Sequence, residues 1–346
     1  MNIASTWLTI NRACNLACKW CYAQETNKEN NMDLNIAKKL VDISIEIGVK
    51  NIKLIGGEPT IYPYFFELLE YIMNYNVNIT IVTNGIKLAD DKFCRALRKY
   101  NYPKMNLGIS IKGASDEEYM RDCGRDGYSL LLKGLKNCDE IGLNYSLSYV
   151  LTKENIKALE VFANNIKSSG ITKTIFMVYC NAVISEKDNN SDELQLEMDY
   201  GFSEKYDSIN RILDGKIKIH QTFPLCMCET TAYNTMIRRK QIFTTCHVHK
   251  RNGLIFDTNG SILLCNHLAG YGIGEFGVDF YDFETLKKFW NSDYVLNLYK
   301  KFTTLPSAEC QNCKLFSICG GGCFIQWFTQ CFSEYEKYKI KHKNYV

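Results

Sequence analysis

The stretch TWLTINRACNLACKWCYAQ, residues 6–24, sets the reading of the whole chain. Its first part, TWLTIN, is rich in β-branched and aromatic residues and reads as a strand. Cys14, Cys18 and Cys21 follow at once, so three thiols sit on the loop leaving that strand's C-terminal end. Parallel α/β barrels build their sites on such loops. A helical reading, with i, i+4 and i+7 on one packed face, is poorer, because NRACNLACKWC has polar residues where a core helix wants apolar ones.

Outward from this stretch, strand-like runs recur: NIKLI (51–55), NITIVT (78–83), MNLGISI (105–111), NYSLSYV (144–150) and KTIFMVY (173–179). Amphipathic patterns lie between them, such as DLNIAKKLVDISIEIG from Asp33, which Gly48 ends. Strands alternating with crossover helices make a parallel sheet, and six such units suit a partial barrel or a doubly wound sheet. A polar helical tract near 181–215, with EKDNNSDELQLE as connector, marks a boundary. Beyond it, GLIFDTNGSILLC reads as a hairpin around Thr258, Asn259 and Gly260, and short elements between cysteines complete the chain.

The 346 residues carry 41 basic and 38 acidic side chains, a net charge of +3 with no long run of one sign. This gives no electrostatic case for nucleic acid or an anionic membrane. Neither a secretory signal nor a run of about 18 apolar residues is present, so the cytoplasm is the expected compartment. Sixteen cysteines are then unusual, since the cytosol keeps thiols reduced and a chain of this size needs no disulfide staples. Metal binding accounts for them better, and their clustering at 14–21 and 310–331 agrees. Structural zinc takes four ligands, and the first histidine is His220. An iron-sulfur cube on three thiolates instead leaves one iron open to a substrate or cofactor.

With Trp20 before the last cysteine, the stretch resembles the C-x3-C-x-aromatic-C motif of the radical S-adenosylmethionine (SAM) enzymes. In that family SAM fills the fourth position on the cluster. GGEP, at Gly56, Gly57, Glu58 and Pro59, resembles the segment that meets the methionine amino group, where glycines allow close approach and a carboxylate offers acceptors. TNG, with Thr83 and Asn84, and SIKG, with Ser110, match segments lining the ribose and carboxylate of SAM; Lys112 stands where many relatives carry Asp. VLTKEN, with Thr152 and Asn155, resembles the segment after the fifth strand. The resemblance implies a partial (β/α)6 TIM-like barrel over 1–215. There a reduced cluster cleaves SAM, and a 5′-deoxyadenosyl radical takes hydrogen from the substrate.

The C-terminal part reads C-x13-G-x4-C through Cys246, Gly260 and Cys265, then C-x2-C-x5-C-x3-C through Cys310, Cys313, Cys319 and Cys323, closed by Cys331. This resembles the SPASM domain, a small cysteine-rich iron-sulfur module holding two auxiliary clusters, here over 216–346. Three 4Fe-4S clusters are thus expected in the chain. The family pattern implies that Cys310, Cys313, Cys319 and Cys331 hold one auxiliary cluster and Cys246, Cys265 and Cys323 the other. Cys226, Cys228 or His247 would complete the second, or its iron would stay open. Cys94, Cys123, Cys138 and Cys180 read as packing, and His249 and His267 as surface or supporting residues.

SPASM-bearing relatives act mainly on ribosomally made peptides or on a cysteine or serine of a protein, by crosslinking, epimerisation or oxidation. An electron donor such as flavodoxin or ferredoxin is implied. Because the first strand starts within ten residues, a leader peptide would need another surface or a separate leader-binding protein. Asn266 follows Cys265 where sulfatase-maturing relatives carry an acidic residue, which removes the expected base. The competing readings are a small-molecule radical enzyme, for instance one oxidising an alcohol, and a non-catalytic zinc-binding interaction protein. No catalytic acid, base or hydrogen donor stands out.

Overall fold

The computed structural model describes residues 1–23, 26–100, 102–152, 155–179, 191–220, 225, 230–243, 246–303, 310 and 312–325. Its strands are β1 (Ser5–Asn11), β2 (Asn51–Gly56), β3 (Asn78–Thr83), β4 (Met105–Ile111), β5 (Tyr145–Leu151), β6 (Ile175–Tyr179), β7 (Ile217–His220), β8 (Ile242–Phe243), β9 (Gly253–Phe256) and β10 (Ile262–Leu263). They form one open sheet in the order β10-β9-β1-β2-β3-β4-β5-β6-β7-β8. Every neighbouring pair is parallel except β9 and β10, the expected hairpin, which are antiparallel.

The crossovers between β1 and β7 are α1 (Leu34–Glu46), α2 (Phe65–Met73), α3 (Asp91–Lys99), α4 (Asp116–Cys123), α5 (Tyr128–Ile141), α6 (Leu159–Ser168) and α7 (Ser191–Ile212). After β7 come α8 (Thr230–Arg238), α9 (His247–Lys250), α10 (Phe283–Trp290), α11 (Asp293–Thr303) and α12 (Phe316–Cys319). Local chemistry sets the ends. Asp33 caps α1 by accepting the N–H groups of Asn35 and Ile36, and Gly48, at φ +93°, ends the turn that follows.

Alternation along the strands separates two faces. Ile52, Leu54, Ile79, Ile81, Leu107 and Ile109 are wholly buried or nearly so on the helix-covered face. Lys53, Thr80, Asn106, Ser146 and Ser148 are half-buried on the inner face. One-residue alternation of apolar and polar side chains is what a sheet with one covered and one open face requires.

The sheet continues past the six expected units. β7 and β8 extend it at one side, and β9 pairs in parallel with β1, Ser5 opposite Gly253 and Leu8 opposite Phe256. GLIF, residues 253–256, is buried along its whole length, as an interior parallel strand should be. Just beyond these two strands Arg12 and Asp257 form an ion pair, their side chains 1% and 8% exposed. The Asp257 carboxylate also accepts the N–H groups of Thr258 at 2.7 Å and Gly270 at 3.0 Å.

Candidate iron-sulfur and nucleotide site

The C-terminal ends of β1, β2 and β3 converge on the cysteine loop. Gly57 N–H donates to Asn11 O at 2.9 Å, Glu58 N–H to Ala13 O at 2.8 Å, and the Asn11 amide to Glu58 O at 2.9 Å. A Cβ on Gly56 would lie 2.1 Å from Asn11 Oδ1, and one on Gly57 would lie 2.3 Å from Ala13 O. Both glycines are therefore required by the approach of two backbones.

Glu58 is wholly buried and is used inside the protein. Its Oε1 accepts from Thr60 N, Thr60 Oγ1 and Thr83 Oγ1 at 3.1, 2.6 and 2.7 Å, and its Oε2 accepts from Asn84 N at 2.8 Å. Burial pushes its pKa up, and these donors oppose that. Two of them are backbone N–H groups that can only donate, which favours the carboxylate. Pro59 opens the single turn behind Glu58.

Asn84 links the third strand to the cysteines. Its side-chain amide donates to Asn15 Oδ1 at 2.7 Å and reaches Cys14 Sγ at 3.8 Å, while its Oδ1 accepts Ile86 N–H at 3.0 Å. Cys14 is the most exposed of the three thiols, and Leu16 N–H points at its sulfur from 3.4 Å. Burial still pushes its thiol up to about 11. The thiols of Cys18 and Cys123 lie 3.5 Å apart, and the hydrogen bonding between them pulls Cys18 down while Cys123 is raised. Ala17 N–H and Lys19 N–H donate to the carbonyls of Cys123 and Asp122, so the loop is laced to the end of α4. Cys123, expected only to pack, thus touches the cysteine motif. Lys112 lowers the thiol pKa of both Cys14 and Cys18 by its charge.

Two of the expected nucleotide contacts face their neighbours. Thr152 N–H donates to Asn155 Oδ1, Asn155 N–H to Thr152 Oγ1, and the Asn155 amide to Val150 O. Ser110 Oγ sits 3.3 Å from Ser148 Oγ on the inner face.

A second group of cysteines gathers around Cys265. Cys246 and Cys323 are both close enough to Cys265 for their charge to raise its thiol, after burial, the larger cause. The N–H groups of Val248 and His249 point at the Cys246 sulfur, and those of Asn266 and His267 at the Cys265 sulfur. His267 Nδ1 is 3.5 Å from Cys265 Sγ, and its ring packs edge-on against Tyr22 at 4.9 Å. Tyr22, next to Cys21, is also hydrogen-bonded to Asn266 and feels the charge of Cys265, so it stands between the two cysteine groups. His267 and His249, expected at the surface or in support, are half-buried, and His249 Nε2 approaches Gly322 O at 3.4 Å. Cys319 accepts Leu225 N–H at 3.3 Å. Cys310 and Cys313 are joined by the backbone bond from Cys313 N to Cys310 O. Cys94 and Cys138 are buried against each other, as expected of packing residues. Cys180, Cys226, Cys228 and Cys331 lie outside the described residues.

The donor set fits iron-sulfur clusters: thiols that receive N–H bonds from the chain immediately after them are prepared to carry thiolate charge. Among the described residues no group of three or more His, Cys, Asp or Glu side chains closes around a single metal ion. The residues that sequence reasoning missed are Arg12, Asp257, Tyr22 and the Cys123 contact. Only the place of Arg12, between an apolar strand and the first cysteine, offered a signal for any of them.

The structure is thus an open parallel sheet with three thiols above its first strand and a second thiol group joined to that loop through Tyr22, His267 and Asn266. Residues 8–166 match the model of the Radical SAM superfamily. That superfamily uses a 4Fe-4S cluster and SAM. Among sequence relatives, the Fe-coproporphyrin III synthase of Methanosarcina barkeri is 27% identical over 61% of this chain and 51% of its own. The mycofactocin maturase MftC of Mycobacterium tuberculosis is 28% identical over 50% of this chain and 44% of its own. The chain therefore spans about half the length of the curated relatives it matches. Among solved structures, native anSMEcpe with bound AdoMet aligns with a TM-score of 0.67 and 17% identity over 99% of this chain and 100% of that one. Streptococcus suis SuiB bound to precursor peptide SuiA aligns with a TM-score of 0.67 and 18% identity over 94% of this chain and 72% of that one.

Proposed function

We propose that this chain is a peptide-modifying radical SAM enzyme, with a barrel over 1–215 and an auxiliary-cluster module over 216–346. When bound, the cluster and SAM would supply a 5′-deoxyadenosyl radical that takes hydrogen from the peptide. Cys14, Cys18 and Cys21 would hold that cluster. Cys246, Cys265 and Cys323, with Cys226 or Cys228, would hold one auxiliary cluster, and Cys310, Cys313, Cys319 and Cys331 the other. The segments at Gly56–Pro59, Thr83–Asn84, Ser110 and Thr152–Asn155 would frame SAM. Glu58 and Asn155 would act by shaping their turns, since their polar atoms are already used. A flavodoxin or ferredoxin would deliver electrons, another surface of the chain or a separate leader-binding protein would present the peptide, and the cytoplasm would be the compartment. No helix among the described residues is long and apolar enough to cross a membrane.

One observation carries the reading: the Cys14 loop, the GGEP turn and the TNG turn are hydrogen-bonded into one unit at the mouth of the barrel. The peptide substrate is supported by SuiB, captured with its precursor peptide SuiA, and by the similarity to the maturase MftC. The small-molecule alternative is not favoured. The test is 5′-deoxyadenosine formation from SAM, anaerobically and with a reductant, by the iron-reconstituted protein and Cys14→Ala. Peptide and small-molecule fractions are added in turn. Product from wild type alone, stimulated by the peptide fraction, is expected; no product from iron-loaded wild type refutes the assignment.

A further inference from the structure

The inner face of the barrel holds a lysine that the reading so far does not use. Lys53 lies midway along β2 and points away from the helices, for its neighbours Ile52 and Leu54 are wholly buried on the other face. Its ammonium sits 4.1 Å above the Trp7 ring, which in turn packs edge-on against His247 at 5.7 Å. It makes no hydrogen bond or ion pair with any described residue, and none of the ten strands contains an Asp or Glu. Burial depresses the Lys53 pKa. His220 and His247, which lie close enough to feel the Lys53 charge, cannot supply a negative one. A half-buried cation on the inner face of the sheet, with no counter-charge among the described residues, is incomplete, and a carboxylate would complete it.

Resting on the peptide reading above, we infer that Lys53 is a specificity residue that receives a carboxylate of the peptide substrate inside the barrel. Lys53 is three residues below Gly56, so this contact lies about 10 Å beneath the cysteine loop at roughly 3.3 Å per strand residue. An extended peptide spans that depth in about three residues. The carboxylate is therefore an Asp or Glu side chain within about three residues of the reacting position, or the peptide's own C-terminus when the reaction falls near its end.

The test uses the full chain, reconstituted with iron and sulfide and saturated with SAM. It is mixed with random short-peptide pools that contain Asp and Glu or have them replaced by Asn and Gln, each with a free or an amidated C-terminus. Glutarate and glutaramide serve as small probes, and retained species are identified by mass spectrometry after gel filtration. Wild type should retain carboxylate-bearing pools about 10- to 100-fold better than neutral ones, the value of a charge-assisted hydrogen bond. Lys53→Met, which keeps the stem on Trp7, should lose that preference, and Lys53→Arg should keep it. Whether the preference follows the side chains or the free terminus decides which carboxylate binds. A preference that survives in Lys53→Met, or equal retention of acidic and neutral pools by wild type, overturns the proposal while leaving the peptide reading in place. Weaker SAM retention by Lys53→Met with unchanged peptide retention also overturns it, by giving the lysine to SAM. Retention of glutarate over glutaramide with no peptide held overturns the peptide reading and supports the carboxylate site; retention of neither overturns both.

Discussion

Glu58 is a buried carboxylate that joins two turns. Its four donors come from Thr60, Thr83 and Asn84, so Glu58→Gln would set an amide N–H2 or a weaker carbonyl against backbone N–H groups that can only donate. The expected cost is about 1–3 kcal/mol, read from the denaturant midpoint, with reduced iron uptake because Asn84 loses its anchor beside Cys14. Cys123 gives a second prediction. If Cys18 carries a cluster as a thiolate, the Cys123 S–H 3.5 Å away can only donate to it, which favours the reduced, more negative cluster, so Cys123→Ala should lower that cluster's reduction potential, measured by electron paramagnetic resonance during a redox titration. A third concerns acid. Burial lowers His220 and His267 to about 4, against about 6.5 in the unfolded chain. The folded state then binds fewer protons between those values, so stability is full above about pH 6.5 and falls as the pH drops toward 4. His220→Asn should flatten that decline in denaturation curves across this window.

At the scale of elements, the GGEP turn shows why two glycines are needed in a row. Gly57→Ala puts a methyl group 2.3 Å from Ala13 O, and the cysteine loop and the turn cannot both keep their places. Destabilisation of about 1–3 kcal/mol is expected, with less iron per chain by colorimetric assay, whereas an alanine in open space would cost far less. Much of the element map was legible. TWLTIN, NITIVT and MNLGISI all became strands, because β-branched runs between capped helices are local signals. IKIH in β7 and the two-residue β8 were missed: strands that short carry no period and form only because β6 offers an edge. The candidate site was legible as cysteines and turns, but not as contacts. Nothing in the spacing of Cys18 and Cys123, or of Tyr22 and His267, says that they touch, since these pairings depend on where α4 and the β9–β10 hairpin dock.

For the whole molecule, the Arg12–Asp257 pair ties the start of the cysteine loop to the hairpin that leads to Cys265. Asp257→Ala leaves a buried guanidinium without its counter-ion and should cost about 3–5 kcal/mol, seen as a lower melting temperature and as faster proteolysis of the C-terminal part. Replacing both partners by apolar residues should recover much of that loss. If the two cysteine groups carry clusters, the double variant should still hold iron, because the pair positions the loops and ligates nothing.

The parallel pairing of β1 with β9 also governs how the chain is made. Residue 5 leaves the ribosome long before residue 253 exists, so one edge of the first strand has no partner during most of synthesis. At roughly 5–20 residues per second, that interval is on the order of ten to fifty seconds. TWLTIN is apolar and β-branched, the kind of edge that other chains can add to while it waits. Chains cut short before Gly253 should therefore collect in aggregates instead of surviving as free barrels, and slow translation of the C-terminal half should lower the yield of soluble protein.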